Sequence, residues 1–406
     1  MERIIFHIDV NNAFLSWTAC DMLKNGYKLD IREIASIIGG DESQRKGIVL
    51  AKSEVAKQFG IKTAETIYQA KQKCNKLKVF SPDFRIYSYY SNRMYEILSD
   101  YSDKIERYSI DECFLDYTNM QQLFGKPIEC AQVIQKRIFD ELGFTVNIGI
   151  GNNKLLAKMA SDLQKPNKII TIWKKEIEQK MWNLPVQDLF MVGRKSIPKL
   201  NNLNIYTIGD LANCNKSLLI KIFGKMGEQM YNYANGIDYS CVNGEKHEYK
   251  GIGNSITTSV NISDINIANN IMLSICEYVC KRLRDEQMYT KCVNIHIKNS
   301  NFIVKSHQRK MKASTNLTVE IYDIAKQLLE EIWNGEPIRS FGVRLDELTK
   351  YSDNQINLFE DVHKNEKRTK LDEVIDRTRR KYGNESIKRA VFIDNDIPHM
   401  LPKEEG

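Results

Sequence analysis

The amino-acid sequence predicts an α+β protein of several domains, with two separate β-α-β-β-α-β units and a helical segment between them. Three observations predict this. Between Arg3 and about residue 173, short strand-forming runs alternate with helical stripes, and a second set of the same kind runs from about residue 247 to 350. Between residues 183 and 240, two glycine-bearing turns each lead into a helix. At 406 residues the chain is also too long for one ordinary core.

Each element follows in order. Ile4 to Val10 reads as a buried-type strand of the kind that lies between two covered faces, carrying a single carboxylate, Asp9, near its C-terminal end. A helix begins near Asn12. Helices from Tyr89 to Tyr101 and from Cys130 to Glu141 bracket strands on either side of Asp111. Thr145 to Ile150 reads as a strand, a helix starts at Asn153, and Ile169 to Trp173 closes the set. With residues 13–82 set aside as an insert, the remainder is a ferredoxin-like sheet backed by helices. In the middle segment, Met191-Val192-Gly193-Arg194-Lys195 and Phe223-Gly224-Lys225-Met226-Gly227 supply the turns. Glycine there lets backbone amides approach a phosphate, and the lysines add charge. In the last unit Ile271, Ile275, Val279 and Leu283 form one helical stripe, and Ile321, Ile324, Leu328 and Ile332 another. Val293, Ile295 and Ile297 alternate as a strand, as do Phe341, Val343 and Leu345.

Composition sets outer bounds. The formal net charge is +7, with 42% hydrophobic and 27% charged residues, which permits an anionic partner without demanding one. Nine cysteines occur with no Cys-x-x-Cys pair, as expected of a reducing cytoplasm. The N-terminus lacks a signal-peptide layout, and no apolar run reaches membrane-spanning length, so no membrane is expected.

The chemistry is concentrated in Tyr108-Ser109-Ile110-Asp111-Glu112-Cys113-Phe114-Leu115-Asp116, where two adjacent carboxylates stand between strand-forming runs. On a strand they would point to opposite faces. A hairpin or strand end instead lets both lean on one cation. Asp9, near the end of the first apolar run, reads alone as an N-cap for the following helix. Together with Asp111 and Glu112 it fits a two-metal phosphoryl-transfer site, with magnesium the usual ion where phosphates complete the ligand shell.

The ordered pieces Asp9-Val10-Asn11-Asn12-Ala13-Phe14, Lys52 to Gly60, Ser109-Ile110-Asp111-Glu112, Gly149-Ile150-Gly151-Asn152-Asn153-Lys154-Leu155-Leu156-Ala157-Lys158 and Lys165-Pro166-Asn167 resemble the Y-family translesion DNA polymerases. The DinB-like branch is nearest and the UmuC-like branch next. The resemblance implies a right hand, with a palm at 1–12 and 83–173, fingers at 13–82 and a helix-hairpin-helix thumb at 174–240. A little finger at 247–350 and a C-terminal tail at 351–406 complete it. It implies a monomer acting on primer-template DNA and deoxynucleoside triphosphates, with low fidelity, in DNA damage tolerance.

Residue roles are carried over from the same motifs. Asp9 and Asp111 would bridge two Mg²⁺ ions, Glu112 would hold the one nearest the primer, and the Val10 carbonyl would bind the nucleotide's ion. Lys165 would reach the triphosphate, and Phe14 would stand beneath the sugar as a steric gate. In the fingers the family commonly has Tyr-x-Ala-Arg before Phe-Gly, whereas this chain has Glu54-Val55-Ala56-Lys57. Lys57 keeps the charge without the bidentate fork, and Glu54 leaves the Tyr role open. Gly193, Lys195, Gly224 and Lys225 would hold the DNA backbone. Lys305 and Arg309, with Lys298, Lys310 and Lys312, are candidates for the little finger's DNA surface. Gln355-Ile356-Asn357-Leu358-Phe359 resembles a sliding-clamp peptide, anchored by Gln355, Leu358 and Phe359. A nucleotidyl cyclase would share the palm but not the thumb turns, second unit or clamp peptide. A non-catalytic scaffold would have lost an acid, and all three are present.

Overall fold

The computed structural model describes residues 2–42, 45, 47–244, 249–351 and 362–393. The chain divides into two compact units, residues 1–40 with 48–246 and residues 41–47 with 247–406. Twelve strands occur among the described residues. The first eight are β1 (Ile5–Val10), β2 (Ser36–Gly39), β3 (Val49–Lys52), β4 (Lys78–Phe80), β5 (Ile105–Arg107), β6 (Glu112–Asp116), β7 (Val146–Gly151) and β8 (Ile169–Ile172). The others are β9 (Gly251–Ile262), β10 (Tyr289–Asn299), β11 (Val304–Thr315) and β12 (Ile338–Thr349).

The main sheet of the first unit runs β5-β6-β1-β7-β8. β1 is antiparallel to both β6 and β7, and β8 joins β7 in parallel as an extra strand on a ferredoxin-like order. All residues of β1 and β7 are buried, because helices cover both faces. Period two sorts the side chains of β1 between them. Phe6, Ile8 and Val10 pack with Tyr87 and Met94 of the helix Phe84–Ser99 and with Ile134 and Ile138 of the helix Pro127–Leu142. His7 and Asp9 face the helix Lys154–Leu163, with His7 Nδ1 2.8 Å from Ser161 Oγ. That helix lies directly on β7. A Cβ on Gly149 would come 2.0 Å from the Ala157 carbonyl oxygen, so only glycine permits the approach. Asn153 starts the helix by accepting the Leu156 N–H at 2.8 Å.

The insert forms its own sheet, β3-β2-β4, over a small core of Ile37, Val49, Ala56, Ile61, Ile67 and Ala70. The helical segment contains Ile197–Asn201, Ile208–Asn213, Lys216–Phe223 and Lys225–Ala234. These pack through Leu200, Leu211, Leu219 and Met230 onto Leu155 and Met159 of the helix above β7.

In the second unit, the helices Ile265–Asp285 and Thr318–Ile332 back one face of the sheet β11-β10-β12-β9. The element order matches the first unit, but the last strand differs. β12 inserts between β9 and β10, whereas β7 lies outside β1. β10 alternates buried and half-exposed residues, as a sheet covered on one side requires.

The described part of the expected C-terminal tail is docked. Residues Val362–Tyr382 form a helix whose Asp372, Asp376 and Arg379 are buried. Arg284 donates to Asp376 Oδ2 at 2.6 Å and to Asp372 Oδ2 at 3.3 Å, and Arg379 pairs with Glu277 at 3.1 Å. Arg389 also pairs with Glu277. Gln355, Leu358 and Phe359 lie outside the described residues.

Candidate active site

The site forms where β1 and β6 end together. Their register sets Asp9 opposite Glu112, and the Val10 N–H donates to the Asp111 carbonyl at 3.1 Å. Asp111 and Glu112 belong to the tight turn between β5 and β6, which the Tyr108 and Ser109 amides close by donating to the Glu112 carbonyl. The adjacent acids therefore sit at a hairpin end. Asp111 Oδ1 accepts the Ser109 hydroxyl at 2.6 Å.

Two lysines of one short stretch meet these acids. Lys158, on the helix over β7, donates to Glu112 Oε1 at 2.6 Å and lies 3.5 Å from Asp9 Oδ2 and 3.4 Å from Asp162 Oδ2. Lys165, just before the cis peptide to Pro166, reaches Asp9 Oδ2 at 2.8 Å and Asp162 Oδ1 at 2.9 Å. Burial lowers the proton affinity of the Lys158 ammonium, but Glu112, Asp162 and Asp9 outweigh it and leave the pKa raised. Lys165 behaves alike, with burial opposed chiefly by Asp9. Burial raises the pKa of Glu112 despite its contact with Lys158. Behind them, burial and the two nearby ammoniums hold the His7 pKa well below its ordinary value.

The donors are carboxylate oxygens plus a backbone carbonyl, the chemistry a hard divalent cation prefers. As the side chains stand, no three His, Cys, Asp or Glu groups gather around one point among the described residues. The cause is visible in the contacts: Asp111 turns to Ser109, while Lys158 and Lys165 draw Glu112 and Asp9 toward themselves.

Phe14 is half-buried beside this loop and stacks on Tyr87, with ring centroids 4.5 Å apart and planes 13° from parallel. Phe84 meets its edge at 5.9 Å. In the insert, Ser53 caps the short helix Glu54–Gln58. Glu54 accepts from Asn12 Nδ2 at 3.1 Å and pairs with Lys57 at 3.4 Å, so the carboxylate is tied to the loop that follows Asp9.

Two residues of the site escaped the sequence reading. Lys158 and Asp162 lie in the quoted Gly149–Lys158 motif or just past it. Helical spacing after Asn153 would have put position 158 on the face that meets β1. Asn11 is buried and structural: its Oδ1 accepts from Thr145 Oγ1 and from the Asn167 N–H, both at 2.9 Å, which fixes the loop carrying Lys165.

The expected DNA contacts are spread out. Gly193, Lys195, Gly224 and Lys225 are exposed at the two turns, and Gly224 has φ 61°. Met191 holds φ 71°, in the region glycine favours. In the second unit the register alters one expectation. Arg309 pairs with Val293 and Lys305 with Ile297, so both project to the helix-backed side, where Arg309 donates to Gln327 and pairs with Glu331. The open side instead carries Asn294, Lys298, Gln308, Lys310 and Arg344.

The chain has clear relatives. The family model described as the impB/mucB/samB family matches residues 8–162, and its C-terminal domain matches 249–358. The model described as the DNA polymerase-iota thumb domain matches 187–238. The DNA polymerase IV of Clostridium acetobutylicum is 45% identical, with 98% of this chain and 100% of that protein covered. The chain belongs to the Y-family DNA polymerases, in the DNA polymerase IV group. Another member of that group, from Acetivibrio thermocellus, is 35% identical over 97% of this chain and 98% of its own length. A solved Y-family DNA polymerase chimera, Dbh-Dpo4(243-245)-Dbh, shares the fold with a TM-score of 0.75 at 24% identity. It covers 86% of this chain and is itself covered completely. Membership carries the activity: the protein is a DNA-directed DNA polymerase of the translesion class. No described helix is long and apolar enough to cross a membrane.

Proposed function

We propose that Asp9, Asp111 and Glu112 form the catalytic centre for adding deoxynucleotides to a primer 3′-hydroxyl, holding two Mg²⁺ ions together with the Val10 carbonyl. The observation that carries this reading is that Asp9 lies opposite Glu112 where β1 ends beside the start of β6, with Asp111 next to it in the turn and lysines paired with Asp9 and Glu112. Bound there, the ions would acidify the hydroxyl and offset charge on the departing pyrophosphate.

The chain's own residues supply orientation. Lys165, on a loop fixed by Asn11, presents a mobile point charge suited to triphosphate oxygens. Phe14 cannot retreat from beneath a sugar because Tyr87 fills the space behind its ring. Lys57 is the remaining cation of the family's fingers pair, and Glu54 keeps it close to the Asp9 loop through Asn12. The helix-hairpin-helix turns and the open face of the second unit would hold the DNA backbone without reading sequence. Residues 1–12 and 83–173 then serve as palm, 13–82 as fingers, 174–240 as thumb and 247–350 as little finger. A monomer working in the cytoplasm, tethered to a sliding clamp through Gln355, Leu358 and Phe359, completes the reading.

Primer extension tests it. Asp111→Asn or Glu112→Gln is expected to remove nearly all incorporation, about a thousandfold or more, while DNA binding and melting temperature stay near those of the unaltered protein. Substantial extension by either variant with Mg²⁺ would sink the assignment. For the clamp peptide, replacing Leu358 and Phe359 with Ala should abolish stimulation by the clamp and spare clamp-free synthesis.

A further inference from the structure

Two of the three acids, Asp9 and Glu112, are shared with a cation the chain itself provides. Lys158 Nζ lies within 3.5 Å of carboxylates from Glu112, Asp9 and Asp162, and its side chain is only 10% exposed. Asp9 and Glu112 are nearly as enclosed, at 10% and 18%, whereas Asp162 is 45% exposed. Lys158 has little freedom to withdraw. It stands on the helix that Gly149 allows to rest on β7, and its carbonyl accepts the Ser161 hydroxyl at 2.8 Å.

We propose that Lys158 is a positioning residue that opposes divalent cations at Asp9 and Glu112, and that Asp162 moderates this opposition by sharing Lys158 and Lys165 with the inner acids. The inference rests on the metal reading of those acids given above. A fixed ammonium in a poorly solvated pocket repels a second cation far more than one in water would. Metal alone is therefore bound weakly. A nucleotide triphosphate adds several negative charges to the same pocket and offsets the ammonium, so cation loading follows nucleotide binding. Asp162 has the opposite effect to Lys158, because each hydrogen bond it takes from a lysine is one that lysine does not direct inward.

The two residues thus make predictions of opposite sign. Mn²⁺ is titrated into the full-length protein without DNA or nucleotide, and free Mn²⁺ is followed by electron paramagnetic resonance. Lys158→Met should bind Mn²⁺ about tenfold more tightly than the unaltered protein, a difference of about 1.4 kcal/mol. Asp162→Asn should bind about threefold more weakly. Lys158→Arg, which keeps the charge, should stay near the unaltered value. Unchanged or weaker binding by Lys158→Met, or tighter binding by Asp162→Asn, overturns the proposal. Should Lys158→Met fail to fold, the half-exposed Asp162→Asn decides alone. Glu112→Gln separates the two layers of the argument. Lost Mn²⁺ binding upholds the metal reading, and unchanged binding removes that reading and this inference with it.

Discussion

The sheet around β1 carries helices on both faces, whereas the sheet around β10 carries them on one. The same order of elements therefore yields two different electrostatic surfaces. In the closed sheet, Asp9 is 7% exposed and its partners are Lys158 and Lys165, so charge is held in fixed geometry with little water to screen it. In the open sheet, Lys298 is half-buried and the exposed Lys310 and Arg344 pair with Glu347 and Asp346 in solvent, where individual charges count for little and act on a partner only as a field. Closed packing suits chemistry that needs ligands within fractions of an ångström. An open face suits a grip that must tolerate any sequence.

The sharpest way to break this contrast lies in the second unit, which hides one charged network despite its open face. Arg284→Met leaves Asp372 and Asp376 buried without their cation and should cost about 3–5 kcal/mol of that unit's stability. Hydrogen exchange should show the loss in the second unit and not in β1 or β7. Equal loss in both would mean that the two units do not melt independently.

Next comes the closed sheet itself. Gly149→Ala forces a methyl to within 2.0 Å of the Ala157 oxygen and should cost about 2–4 kcal/mol while displacing Lys158. A crystal structure with the helix unmoved and normal melting would refute the tight-contact argument. Smaller again, Phe14→Ala should lower discrimination against ribonucleotides by about 1–2 kcal/mol, and deoxynucleotide use should persist because the acids are untouched. Single-nucleotide kinetics with each sugar reads this directly; an unaltered ratio would return Phe14 to the core beside Tyr87.

The mildest test concerns the open face. Lys298→Ala should reduce the salt dependence of DNA binding by about one phosphate contact, while Arg309→Ala, on the helix-backed side and paired with Glu331, should leave it unchanged. The reverse pattern would place DNA along the edge of the sheet.

Much of this was legible in sequence, for physical reasons that differ by element. The largely apolar run of β1 announced a buried strand, and the adjacent Asp111 and Glu112 announced a hairpin end. Side-chain partnerships across the fold were not legible. That Lys158 reaches Glu112 depends on how a helix lies on β7, and that Arg309 turns toward Glu331 depends on a strand register no local pattern encodes. The role of Asn11 was not legible for a related reason: its amide is consumed by Asn147, Thr145 and Asn167, which only the fold brings together. The Lys- and Arg-rich stretch from Lys364 to Lys388 reads as a basic helix, but the docking of the helix Val362–Tyr382 was hidden because its inward face is charged, the reverse of the usual amphipathic signal.

β11 is a long strand at the sheet's edge, twelve residues with most side chains exposed. Such an edge offers unpaired backbone groups to any passing strand and is a common seed of aggregation. Lys305, Arg309, Lys310 and Lys312 line it, and a second copy brought alongside would meet its own charges. Neutralising the basic residues of this strand together is expected to show first as concentration-dependent precipitation, with or without nucleic acid present.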